Sequence, residues 1–192
     1  MSKKFIYGIA EVRFKKKGGT TAEKVGYIEK GSWDWGGSKP ESVDVEAEQV
    51  PDAPVLTLLQ SNGKISPTFN LIQLDYENLQ RSLGGSLIES GTGQDKKITG
   101  WNAPSSLVEL SGEWEIEFVS GQTMTIPNAT ILANPGGKLT LTEVSKIECQ
   151  LKINKPEEDG VPPYRIQDTD SMGTNVASQS AAPTKGESPS AG

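Results

Sequence analysis

The 192-residue chain carries 19 Lys/Arg against 25 Asp/Glu, a net charge of −6, with one cysteine and no histidine. That length is ample for one cored domain, a lone thiol forms no internal disulfide, and the lack of histidine excludes a Ser-His-Asp triad, a Cys-His dyad and any His-ligated metal. An isoelectric point near 4.8 lacks the basic footprint of a general nucleic-acid binder, and no apolar run approaches a membrane span or a signal core, so the sequence reads as soluble and made in a reducing cytoplasm.

Alternation with a period of two dominates the chain, as half-buried antiparallel strands require. Ile6, Ala10, Val12 and Phe14 fall on one side of an opening strand, with Glu11 and Arg13 on the other. Weaker strand signals cover 25–33, 55–60, 65–74, 87–89, 106–110, 123–132 and 139–141. Val43, Val45 and Ala47 alternate with Asp44, Glu46 and Glu48, and Asn62-Gly63 is the best-placed hairpin turn. Asp75 to Gly85 predicts a short helix capped by Asp75, with Tyr76, Leu79 and Leu83 on one face and Gly84 ending it. Trp114, Ile116 and Phe118 alternate with Glu113, Glu115 and Glu117, and Ile147, Cys149, Leu151 and Ile153 alternate with Glu148, Gln150 and Lys152. Residues 169–192 are mostly Ser, Thr, Ala, Gly and Pro without an aromatic, a composition that predicts a flexible tail behind a domain of residues 1–168. The expected fold class is all-β, a sandwich or barrel of antiparallel strands with one short flanking helix and a long projecting hairpin.

No reaction centre emerges. The carboxylate rows Asp44, Glu46, Glu48 and Glu113, Glu115, Glu117 occupy the polar faces of amphipathic strands, where water relieves their repulsion, and nothing sets two of them in the unlike environments that glycoside hydrolysis needs. Lys15-Lys16-Lys17-Gly18-Gly19 lacks the spacing of a phosphate loop and reads as a loop tip. Cys149 reads as a small buried hydrophobe, and no cofactor or metal motif is present, so an enzyme is not expected. Trp33, Trp35 and Trp101 lie near glycine-rich turns, where exposed indoles would suit a carbohydrate-binding sandwich; packing or subunit contact is the competing use of the same residues. Trp114, alternating with glutamates, reads as core.

Charge is segregated: residues 1–30 hold eight Lys/Arg and three Asp/Glu, residues 31–60 one and six. Such a split is either ordinary solvated surface or a complementary contact between copies.

Taken in order, the elements resemble the phage tail tube proteins, which are related in fold to the tube subunits of type VI secretion and contractile injection systems. The resemblance rests on FIYGIAEVRF followed by VGYIEKGSW, on SVDVEAEQV with PVLTLLQ as a projecting hairpin, and on FNLIQLDYENLQRSLGG as the strand leading into a flanking helix. The closing strands from SGEWEIEF to YRI complete it, so that it covers roughly residues 5–168 through element order and hydrophobic rhythm; the serine-rich extension departs from it. It implies a virion protein assembled in the host bacterial cytoplasm: hexameric rings stacked into a tube, meeting a tape-measure protein and other tail proteins, and passing DNA without binding it or a membrane. It further implies a subunit interface over Val43, Asp44, Val45, Glu46, Glu48, Val55, Leu56 and Leu58, a ring-to-ring contact at Lys15, Lys16 and Lys17, and an acidic lumen face at Glu113, Glu115 and Glu117.

Overall fold

Alternating apolar positions build one curved antiparallel wall. The computed structural model describes residues 4–91 and 93–171. In chain order the strands are β1 (Ile9–Lys16), β2 (Glu23–Lys24), β3 (Glu41–Val45), β4 (Leu56–Ser61) and β5 (Thr68–Leu71), then helix α1 (Tyr76–Leu83). They continue with β6 (Ser86–Ser90), β7 (Lys97–Asn102), β8 (Leu110–Phe118), β9 (Gln122–Gly136), β10 (Lys146–Ile153) and β11 (Arg165–Asp168). The main sheet runs β2-β1-β8-β9-β10-β5, with β11 pairing the first part of β9; β3–β4 and β6–β7 form separate hairpins.

The wall then turns back on itself. Residues following β2 bridge to β5 at Ile28–Leu71 and Asp34–Thr68, with backbone bonds from Glu29 N to the Asn70 carbonyl (2.9 Å) and from Ile72 N to the Tyr27 carbonyl (3.0 Å). A barrel of β1, β8, β9, β10, β5 and the 25–34 segment results. Its interior holds Val12, Phe14, Phe69, Trp114, Ile116, Ile147, Cys149 and Leu151, all buried in one apolar cluster. Phe14 and Phe69 lie 4.5 and 6.3 Å from Trp114, ring centre to ring centre. Each such side chain stabilises the fold by roughly 1.5–3 kcal/mol relative to exposure.

The same antiparallel ribbon leaves the barrel as the projecting hairpin. Its pairs run outward from Asp34–Thr68 through Ser38–Lys64 and Glu41–Ser61 to Val45–Leu56, and an Ala47–Val50 bridge closes the tip. Gly37, at φ +90°, sits where this ribbon crosses the barrel rim, and a Cβ there would stand 1.8 Å from the Lys64 carbonyl oxygen. Only glycine fits such a crossing.

Several sequence expectations change. Asn62-Gly63 is not a hairpin turn: β4 before it pairs with β3, and β5 after it pairs with β10. The 25–33 strand is reduced to bridges; 106–109 and 139–141 are loops whose apolar residues face solvent, Leu107 and Leu141 fully so, and of the expected 106–110 strand only Leu110 is buried, as the first residue of β8. β7 carries no alternation that predicts it, since Gly100 is its single buried position. In β1, a register shift between Ile9 and Glu11 leaves Ala10 exposed, as Ile6 is, so only Val12 and Phe14 of the four enter the core. Asp75 does cap α1, its Oδ1 accepting from Asn78 N at 2.8 Å. The helix is rotated from expectation, however: Asn78 and Ser82 are buried beside half-buried Leu79 and Leu83, whereas Tyr76 is exposed. Gly84 follows with positive φ, its N–H donating to the Gln80 carbonyl. Thr169–Ser171 form a short turn tied by Thr169 N to the Gly121 carbonyl; the rest of the expected tail, 172–192, lies outside the described residues.

Candidate assembly surfaces

The β3–β4 hairpin forms where two alternating runs pair, yet every residue of both strands is exposed. The expectation of a half-buried strand fails at Val43 and Val45 for that reason, while half-buried Ala47 lies beyond the end of β3. Val43 faces Leu58 and Val45 faces Leu56, so these four side chains make an apolar ladder on one side. On the other side Asp44 pairs with Thr57, whose hydroxyl donates to the Asp44 carboxylate at 2.7 Å. Residues 41–61 contain five carboxylates and no Lys or Arg. Glu46 and Glu48 lie on the way to the tip and form no ion pair among the described residues. Val55, beside the tip, donates its N–H to the Val45 carbonyl and is exposed. All eight expected interface residues therefore share one protruding element. A two-stranded hairpin is marginal by itself, so an exposed one with an apolar ladder has the character of a surface awaiting cover.

Glu113, Glu115 and Glu117 stand on the outer face of β8, directly across from Lys15, Arg13 and Glu11 of β1. They are not a bare acidic row. Lys15 Nζ meets Glu113 at 2.6 Å, and Arg13 reaches Glu115 and Glu117, each at 3.6 Å, while also pairing with Glu11. Lys24 supplies a second cation to Glu11; its hydrogen bond, helped by Arg13, holds the Glu11 carboxyl below the usual value. Cross-strand pairing thus leaves four carboxylates facing Arg13, Lys15 and Lys24.

The three lysines expected at a ring contact separate by role. Lys15 belongs to that network, and Lys17 pairs with Glu157 at 2.5 Å, which raises the lysine's pKa. Lys16 makes no ion pair among the described residues and is exposed.

The tryptophans divide likewise. Trp114 is buried, and Trp101 donates its Nε1 proton to the Gly84 carbonyl at 2.8 Å, pinning β7 to the end of α1. Trp33 is half-buried and stacks on Phe69 at 5.7 Å, whereas Trp35 is 39 % exposed. The two indoles stand 6.1 Å apart at 85°, an edge-to-face pair rather than a flat platform. Together with Ile6, Tyr7, Tyr27 and Phe118 they line a cleft of about 540 Å³, the feature that sequence reasoning missed. Exposed aromatic residues on both sides of β1 were its available signal, but nothing in the alternation reveals that the wall parts there.

Cys149 is buried, and burial alone pushes its thiol up to about 12, which makes it inert as a nucleophile. Among the described residues, no group of three or more acidic or thiol side chains is placed to hold a metal, and no helix is long and apolar enough to cross a membrane. No protein-family model matches the chain, and no curated protein matches it significantly.

Proposed function

We propose that the protein is a structural subunit that assembles with copies of itself, as the resemblance to phage tail tube proteins implies: hexameric rings stacked into a conduit. The observation that supports this reading best is the protruding hairpin, whose ladder of Val43, Val45, Leu56 and Leu58 is left exposed among the described residues. Contact between a protruding element and a different surface on the next copy is heterologous, and such contacts close into rings or continue into filaments. In this reading, the outer face of β1 and β8 lines the conduit. Its glutamates outnumber its paired cations by one, so it repels DNA phosphate only mildly and offers no unpaired lysine to hold it. The tape-measure protein, other tail proteins and a location in the virion belong to the same proposal.

The test removes the ladder and keeps the strands. Val43→Thr with Leu58→Thr replaces facing apolar residues by a good strand former. Sedimentation over a concentration series is expected to show large assemblies for the unaltered chain and monomers for the double variant, with equal melting temperatures. Assemblies persisting in the variant, or a monomeric parent at every concentration, would reject the reading.

The aromatic cleft supports a second reading, carbohydrate binding by exposed Trp35 with Tyr27 and Tyr7. Against it stands the perpendicular indole pair, which presents no coplanar face to a sugar ring. Saturable change of tryptophan fluorescence on titration with oligosaccharides, in a protein that stays monomeric, would favour this reading over assembly.

A further inference from the structure

The barrel wall is paired along only part of its height. Arg13 and Phe14 face Lys24 and Glu23, and Val25 N donates to the Val12 carbonyl at 3.0 Å. Beyond that point the two stretches part, and no hydrogen bond joins residues 6–11 to 26–31 among the described residues. Each bonds away from the gap instead. Gly8 accepts from Val119 N and Tyr7 N donates to Ser120 Oγ on one side, while Tyr27 accepts from Ile72 N and Glu29 N donates to Asn70 of β5 on the other. The extra residue at Ala10 and the positive φ of Gly26 (+97°) lie at the two banks of this split. Trp33 and Phe118 lie within it; Ile6, Tyr7, Tyr27 and Trp35 are exposed along it, Tyr27 at 74 %.

We infer that this cleft is the seat of the β3–β4 hairpin of a second copy of the chain. The inference rests on the assembly reading above and names the surface that receives the protrusion. Both are exposed apolar surfaces: all the strand residues of the hairpin face solvent among the described residues. Charge selects this partner. The hairpin brings five carboxylates and no cation, so its seat must hold no free negative charge. At the cleft, Glu11 pairs with Lys24 and Arg13, and Glu29 pairs with Lys146 at 3.0 Å while accepting from the Asn70 side-chain amide at 2.6 Å. The remaining ionic group along it is Lys30, exposed and without an ion-pair partner among the described residues. An apolar ladder flanked by acids therefore meets an aromatic cleft whose free charge is basic. Because each copy offers one hairpin and one cleft, every copy both gives and receives, as a ring or filament requires.

Cysteine cross-linking between separately made chains tests the pairing, and buried Cys149 stays silent in it. A Val43→Cys chain is mixed with a Tyr27→Cys chain under mild oxidation, and separately with a Leu141→Cys chain bearing its thiol on a loop still more exposed than Tyr27. Disulfides form only when Cα atoms approach within roughly 7 Å, so the first mixture is expected to give about tenfold more covalent dimer than the second. In parallel, Lys30→Glu is expected to weaken assembly at low salt, and Glu46→Lys in the same chain to restore it. Assemblies that form without the 43–27 link, or without any response to the charge exchange, overturn this seat and leave the assembly reading standing. Absence of assembly in the unaltered chain overturns both.

Discussion

At single residues, the fold is held by a few sites where chemistry leaves no latitude. Gly112 of β8 lies so close to β1 that a Cβ would stand 2.1 Å from the Lys15 carbonyl oxygen. Gly112→Ala is therefore expected to cost about 1–3 kcal/mol, the usual penalty of forced overpacking, read as a lower midpoint in urea. Glu11 sets a pH dependence. Its folded pKa lies below the usual 4.5, so its contribution is full above that value and is lost as pH falls through the lowered one. Glu11→Gln should thus be less stable than the parent at neutral pH, by no more than about 1 kcal/mol because its lysine partner is exposed to solvent, and match it in strong acid. An equal deficit at all pH values would show that packing, not ionisation, was removed.

At the level of elements, legibility followed burial. β1, β8 and β10 were readable because one face of each is dry and the other wet, which forces strict alternation. The closing 25–34 segment was only partly readable, since it serves two neighbours in turn and joins each by isolated bonds. β7 was invisible because its neighbours cover little of it, and Asn62-Gly63 misled because turn composition does not say which strands the turn joins. The hairpin is the instructive case: its strands showed in the sequence and their pairing was implied by the resemblance alone, yet both faces meet water. Alternation records where burial is needed, and here that burial is not supplied by the described residues. Helix α1 was legible through its cap. Asp75→Ala removes the acceptor of Asn78 N and should cost about 0.5–2 kcal/mol, measured by chemical denaturation, without altering assembly.

For the whole molecule, the segregated charge takes on a definite form. Much of the basic first segment is spent inside the chain, on the outer glutamates of β8 and on Glu157, whereas the acidic second segment is the unpaired hairpin. Of the three lysines assigned to ring stacking, only Lys16 has its charge free among the described residues. Lys16→Glu is therefore expected to shift stacking with ionic strength while leaving single rings intact, an effect that fades as salt shortens the screening length to roughly 8 Å. A variant whose stacks match the parent at every salt concentration would remove Lys16 from that contact. The central claim, that this barrel with its exposed hairpin is a tube-forming subunit, meets its most direct test in negative-stain electron microscopy of the purified full chain at high concentration. Rings with six-fold symmetry, alone or stacked into tubes, are expected; a field of separate monomers at all concentrations would contradict it.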